Sequence, residues 1–191
     1  MQLKKVNAVS ASEVCADITL DEEALALLTD SMNPSEYLVQ LTGAGLLQDA
    51  IKFLARALPP REAAWWACLS ARHGVDEFTS ENEVKLLELA EQWVFKPTDE
   101  NRHATHEAVD IIESDTPVYW AGMSVFWSGG SIVPADLPEM PAAKNLCGMA
   151  VSGAVVLAGV TDDVVQSNRL YQLFLKQGIA VANGENAKAV V

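Results

Sequence analysis

Residues 119–138 read YWAGMSVFWSGGSIVPADLP and carry no charge before Asp136. Tyr119, Trp120, Phe126 and Trp127 fall within nine positions, and the run stops at Gly129-Gly130. On a helix, Trp120, Ser124 and Trp127 follow one i, i+4, i+7 line while Tyr119, Met123 and Phe126 follow the adjacent one, so the helix is apolar nearly all round. Such a helix lies within a core or meets a partner, and glycine after it supplies the positive φ of a C-cap. The stretch predicts a core helix that buries Trp127 and then stops. Ser128–Ser131 admits a second reading, a glycine-rich turn that offers N–H groups and hydroxyls to a ligand. It follows a helix, however, where a phosphate loop follows a strand.

Outward from this stretch, helical periodicity dominates and strand alternation is almost absent. Asp21-Glu22-Glu23 opens a short helix, and Asn33-Pro34-Ser35-Glu36 ends it and starts the next. Gly43 and Gly45 separate that helix from Leu46–Leu58, and Pro59-Pro60 opens another that Gly74 closes. Ser80 three residues before Glu83 makes a capping box for Val84–Phe95. Thr98 or Asp99 caps a helix reaching Glu113, and Thr116-Pro117 caps the opening stretch. Residues 130–144, with three of the eight prolines, form a linker. Two helices follow, about 145–160 and 163–177, the second stopped by Gly178. The expected fold is all-α: one domain over 1–191, an irregular bundle or short solenoid-like stack of about eight helices. Residues 1–20 and 184–191 are expected to be poorly ordered extensions.

Half of the 191 residues are hydrophobic and 20% are charged, an ordinary globular composition. The 26 acids against 13 bases give a net charge of −13, spread over both halves of the chain. Nucleic acids and anionic membrane surfaces are bound through excess basic charge, so this balance argues against both and favours basic partners. Cys15, Cys68 and Cys147 are far apart and odd in number, neither a disulfide framework nor a zinc set, and read as buried thiols. No secretory signal follows Lys4-Lys5, which points to the cytoplasm. The uncharged run Asn145–Thr161 approaches the length of a membrane span but is rich in Gly, Ala and Ser, and reads as a buried soluble helix.

Two constellations merit weighing as sites. His103, His106, Glu107 and Asp110 share one helical face, where imidazoles and carboxylates one turn apart can hold zinc and Glu107 can activate water. Asp110 stands where a zinc-protease helix has its second histidine, and the plainer reading is a solvated polar face. Trp65 and Trp66 point about 100° apart, so one enters the core and the other lies at its margin, where Arg61 one turn earlier can stack over Trp65. Arg61, Trp65 and Trp66 are therefore the candidate partner surface.

LPPREAAWWAC at 58–68, AEQWV at 90–94 with PTDENR at 97–102, and FWSGGSI at 126–132 with Pro134 together resemble a bacterial family catalogued as domain of unknown function 6931, over about residues 45–180. The resemblance implies a largely helical bacterial protein with no assigned reaction and no catalytic residue to carry over. Some members are associated with type VI secretion neighbourhoods. The expected function is a non-enzymatic protein–protein interaction module, an adaptor or chaperone-like factor binding a basic protein, without a cofactor. The alternatives are an immunity protein that binds a toxin and a metal-dependent hydrolase built on the His103 face.

Overall fold

The computed structural model describes residues 2–112, 116–133 and 137–190. Among these residues there are ten α-helices and no strand, only an isolated antiparallel bridge between Ser131 and Pro141. Two single-turn helices, α1 (Ala11–Cys15) and α2 (Glu22–Ala26), precede eight longer ones. These are α3 (Pro34–Gly43), α4 (Leu47–Ala57), α5 (Pro60–Arg72), α6 (Glu81–Phe95), α7 (Asp99–Val109), α8 (Pro117–Phe126), α9 (Leu146–Gly159) and α10 (Val164–Asn183). A short 3₁₀ turn, Ala187–Ala189, ends the described chain.

Local chemistry starts most of these helices. Asn33 with Glu36 and Ser80 with Glu83 form reciprocal capping boxes, while Thr98, Thr116 and Asp163 each accept a first-turn N–H. Helix α5 begins without a side-chain cap, on Pro59-Pro60, where the missing proline N–H leaves no extra orphan donor. Helices α5, α8 and α9 pack on one another; α4 lies on α9, α6 and α7 lie on α8, and α10 runs along α4, α5 and α9.

Several crossings depend on the absence of a side chain. A Cβ at Gly178 would lie 2.7 Å from Trp66 Cε2 and 2.8 Å from Leu54 Cδ2, and one at Gly148 would lie 3.1 Å from Arg56 Cα. Gly178 is thus a notch inside α10 rather than its stop, because the indole of Trp66 fills the space a side chain would need. Helix α10 runs on to Asn183 and ends at Gly184, whose φ of 72° is a left-handed cap. Helix α7 ends at Val109 with Asp110 as its cap, short of the expected Glu113, which lies outside the described residues.

Residues near both ends of the chain pack against the helices. Leu3, Ala11 and Val14 are buried, and the Lys5 N–H donates to Ala182 O at 2.8 Å. Ala187 is buried as well, so both ends add apolar area to the same core. Cys68 and Cys147 are buried and Cys15 half-buried, all unpaired. Burial pushes the Cys15 thiol up to about 11 and the Cys147 thiol up to about 12, and raises Cys68 as well. No helix among the described residues is long and apolar enough to cross a membrane.

Candidate functional site

Helix α9 carries no charged residue, yet one of its faces is open. Met149, Gly153, Val156 and Val160 recur at helical spacing with Ser152 and Leu157 beside them; Met149 is 52% exposed and Val160 58%. The opposite side, Cys147, Val151, Ala154 and Val155, is buried. Trp120 of α8 extends the open face. A Cβ on Gly153 would stand 3.4 Å from the Trp120 ring, so the bare backbone gives the half-buried indole a seat. Tyr119 and Trp127 flank it with ring centroids at 5.4 and 6.4 Å. Trp127, expected in the core, is only half-buried, because α8 ends at Phe126 and leaves Trp127 as its cap residue at the margin.

A cavity of about 510 Å³ runs between this face and the segment Asp17–Thr19, with Lys52 and Asn145 at its edge. Two nearby cations are engaged: Lys52 pairs with Asp49 at 3.0 Å and Arg56 with Asp17 at 2.7 Å. Asp49 is itself buried and also accepts the Asp21 N–H. Lys144 precedes α9, and Asp162 and Asp163 follow it, all exposed. The face is therefore an uncharged strip with carboxylates at its C-terminal end.

The residues singled out in the sequence fall in three places. Trp66 is fully buried and donates from Nε1 to Phe174 O at 2.8 Å, which removes it from any partner surface. Trp65 stays half-buried, edge-on to Phe95 at 5.8 Å. The cation over its ring is Lys188 at 5.0 Å, not Arg61, whose Nε donates instead to Val94 O at 2.6 Å. That helix-end carbonyl offers the guanidinium a hydrogen bond, a stronger attraction than a neighbouring ring.

His106 stacks on Phe126 with centroids 3.8 Å apart, and His103 meets the same ring edge-on. Glu107 and Asp110 are exposed, and among the described residues no three His, Cys, Asp or Glu side chains are grouped as a metal ion needs. The organising residue of this region is Arg102, 3% exposed. Its Nε and Nη2 donate to Asp99 Oδ1, its Nη1 to Phe126 O at 3.0 Å and its Nη2 to Ser131 O at 2.8 Å. Hydrogen bonding from this guanidinium holds the Asp99 carboxyl below the usual carboxylate range.

Gly130, at φ 67°, presses against Arg102; a Cβ there would lie 2.8 Å from Nη2. The Ser131 hydroxyl takes the Val133 and Met140 N–H groups. The Ser131 carbonyl and hydroxyl of the glycine turn are thus taken by a buried arginine and by the turn's own returning segment. PTDENR and FWSGGS, two of the segments that carry the resemblance, form one structural unit. Nothing in the local pattern reveals this, since the carbonyls that Arg102 reaches lie 24 and 29 residues away.

No curated protein and no solved structure matches the chain. The model of a family of unknown function, DUF6931, matches residues 37–182, a span that begins at the buried Tyr37 and takes in both the Trp66 core and the Arg102 unit, and the chain belongs to that family.

Proposed function

We propose that this protein is a non-enzymatic binding module that receives a basic amphipathic helix of another protein along the open face of α9. The observation that carries this reading is an uncharged apolar strip left uncovered on a chain of net charge −13. A helix laid in an apolar groove gains affinity from burying such a strip. The acidic surroundings steer a basic partner to it. Lys52 and Arg56 are already paired with carboxylates, which lowers the repulsion that an arriving Lys or Arg meets at that edge. The three unpaired thiols support a reducing cytoplasm as the setting. The association of some family members with type VI secretion makes components of that machine the first partners to test, and a basic toxin would be recognised by the same chemistry.

The test is fluorescence anisotropy with a labelled Leu/Lys amphipathic helix, its Leu/Glu counterpart serving as control. The Lys peptide should bind and weaken with added salt. Val156→Asp should weaken it by about tenfold. This substitution adds negative charge, so an attraction that is only electrostatic would tighten instead. Binding indifferent to Val156→Asp, or a wild-type dimer in sedimentation that Val156→Asp dissolves, would overturn the reading, the latter by naming a second copy as the occupant.

A further inference from the structure

A third half-buried tryptophan, Trp65, is covered in part by the chain itself. After the left-handed cap at Gly184, residues 185–190 turn back against α10, and Ala187 is 2% exposed in its seat. Lys188 Nζ stands over the Trp65 ring, a cation–π contact. The tail is shallowly held. Glu185 N–H donates to Ala180 O, but among the described residues no backbone N–H of 186–190 donates outside the tail. Its remaining hydrogen bonds are internal, from Lys188 N–H to Asn186 Oδ1 and from Ala189 and Val190 N–H to Asn186 and Ala187 O. Open space remains beside the tail, in contact with Trp65 but not with Ala187 or Lys188. A cavity of about 260 Å³ continues from Gly184 and Glu185 along Trp65 to Phe95, which is 70% exposed. No residue of this cavity lines the one beside α9.

We propose that the surface centred on Trp65 is a second docking site, that the tail is its intramolecular occupant, and that a partner segment carrying lysine between small residues displaces the tail. The tail displays the chemistry that the site accepts. A small side chain drops into the buried seat, the next residue lays an ammonium on the indole, and a third small residue allows the chain to turn away. Arg61 is held by Val94 O and Lys5 by Glu62, so neither opposes the incoming lysine as a free cation. Occupancy by the tail reduces the apparent affinity for a competitor in proportion to the fraction of molecules in which the seat is open.

A labelled peptide of sequence GENAKAV, that of residues 184–190, is titrated into the full chain. Ala187→Asp forces a carboxylate into the seat and lifts the tail, and Lys188→Glu sets an anion against the indole face. Each should bind the peptide about tenfold more tightly than wild type. Adding Trp65→Ala to either should abolish binding, and replacing the peptide lysine with alanine should weaken it. Val156→Asp should leave it unchanged, which separates this site from the α9 face. Circular dichroism shows whether each tail variant is folded, so one can stand in for the other. Equal binding to wild type and both tail variants, or no binding to either tail variant, overturns the proposal.

Discussion

Trp66 and Trp120 each rest against a glycine of a later helix, and they end in opposite surroundings. Trp66 presses into the notch at Gly178, with Leu54 beside it and a carbonyl of α10 accepting its N–H. Trp120 lies on Gly153 in looser contact and keeps part of its ring exposed. An apolar helix and a bare glycine do not define a core by themselves. What closes the first site is the long helix α10, which runs across α5; among the described residues α9 has no such cover on its open side.

Trp66→Ala should cost about 3 to 5 kcal/mol in urea unfolding, the range for deleting a buried aromatic. Trp120→Ala, which removes a half-exposed ring, should cost about 1 to 2 kcal/mol. Equal losses would mean that Trp120 is as much core as Trp66 and that α9 presents no docking face. The glycines sharpen the same contrast. Gly178→Ala forces a methyl against the Trp66 indole and should destabilise by about 1 to 3 kcal/mol. At Gly153 the new methyl meets ordinary contact distance, and the gain in helix propensity should keep Gly153→Ala within about 1 kcal/mol of wild type.

The smallest effect belongs to the Arg102 region, which is neither closed core nor open face. The folded-state value of Asp99 lies below its unfolded one of about 3.9. Its contribution is therefore present above that pH and is lost as pH falls through the lower folded value. Asp99 is largely solvated, so the contribution is small. Asp99→Asn should flatten the acid limb of the stability–pH curve and leave its neutral region nearly unchanged; an unaltered acid limb would show that the pair contributes nothing.

Helix starts were legible because a cap is a local event: Asn33 and Glu36, Ser80 and Glu83, and Thr116 before Pro117 interact within four residues. The all-helical class followed from the same signals. Features that depend on distant residues were not legible. Whether Gly178 stops a helix or admits an indole is decided by Trp66, 112 positions earlier. Lys188 lies far from Trp65 in sequence and Arg61 lies one turn away, yet the fold brings the former over the ring. Composition marked α8 as buried or partner-facing and α9 as buried, and it does not reveal that one side of α9 stays open, since a core face and a docking face call for the same residues. Arg102 is a charged residue on a helix that reads as solvated, and only the carbonyls at 126 and 131 reveal its burial.

The hold of Arg102 on Ser131 has a topological consequence. It joins two points 29 residues apart into a ring, as a cross-link would. Fixing such a loop removes conformational freedom from the chain between its ends, and the cost of closure grows only slowly with loop length. A disulfide would provide that restraint only under oxidising conditions; a guanidinium bonded to two carbonyls provides it whatever the redox state. Helix α7 and the turn after α8 should then open as one cooperative unit, so in native-state hydrogen exchange the protected amides of Arg102–Val109 and of Trp127 and Ser128 should share a single opening free energy.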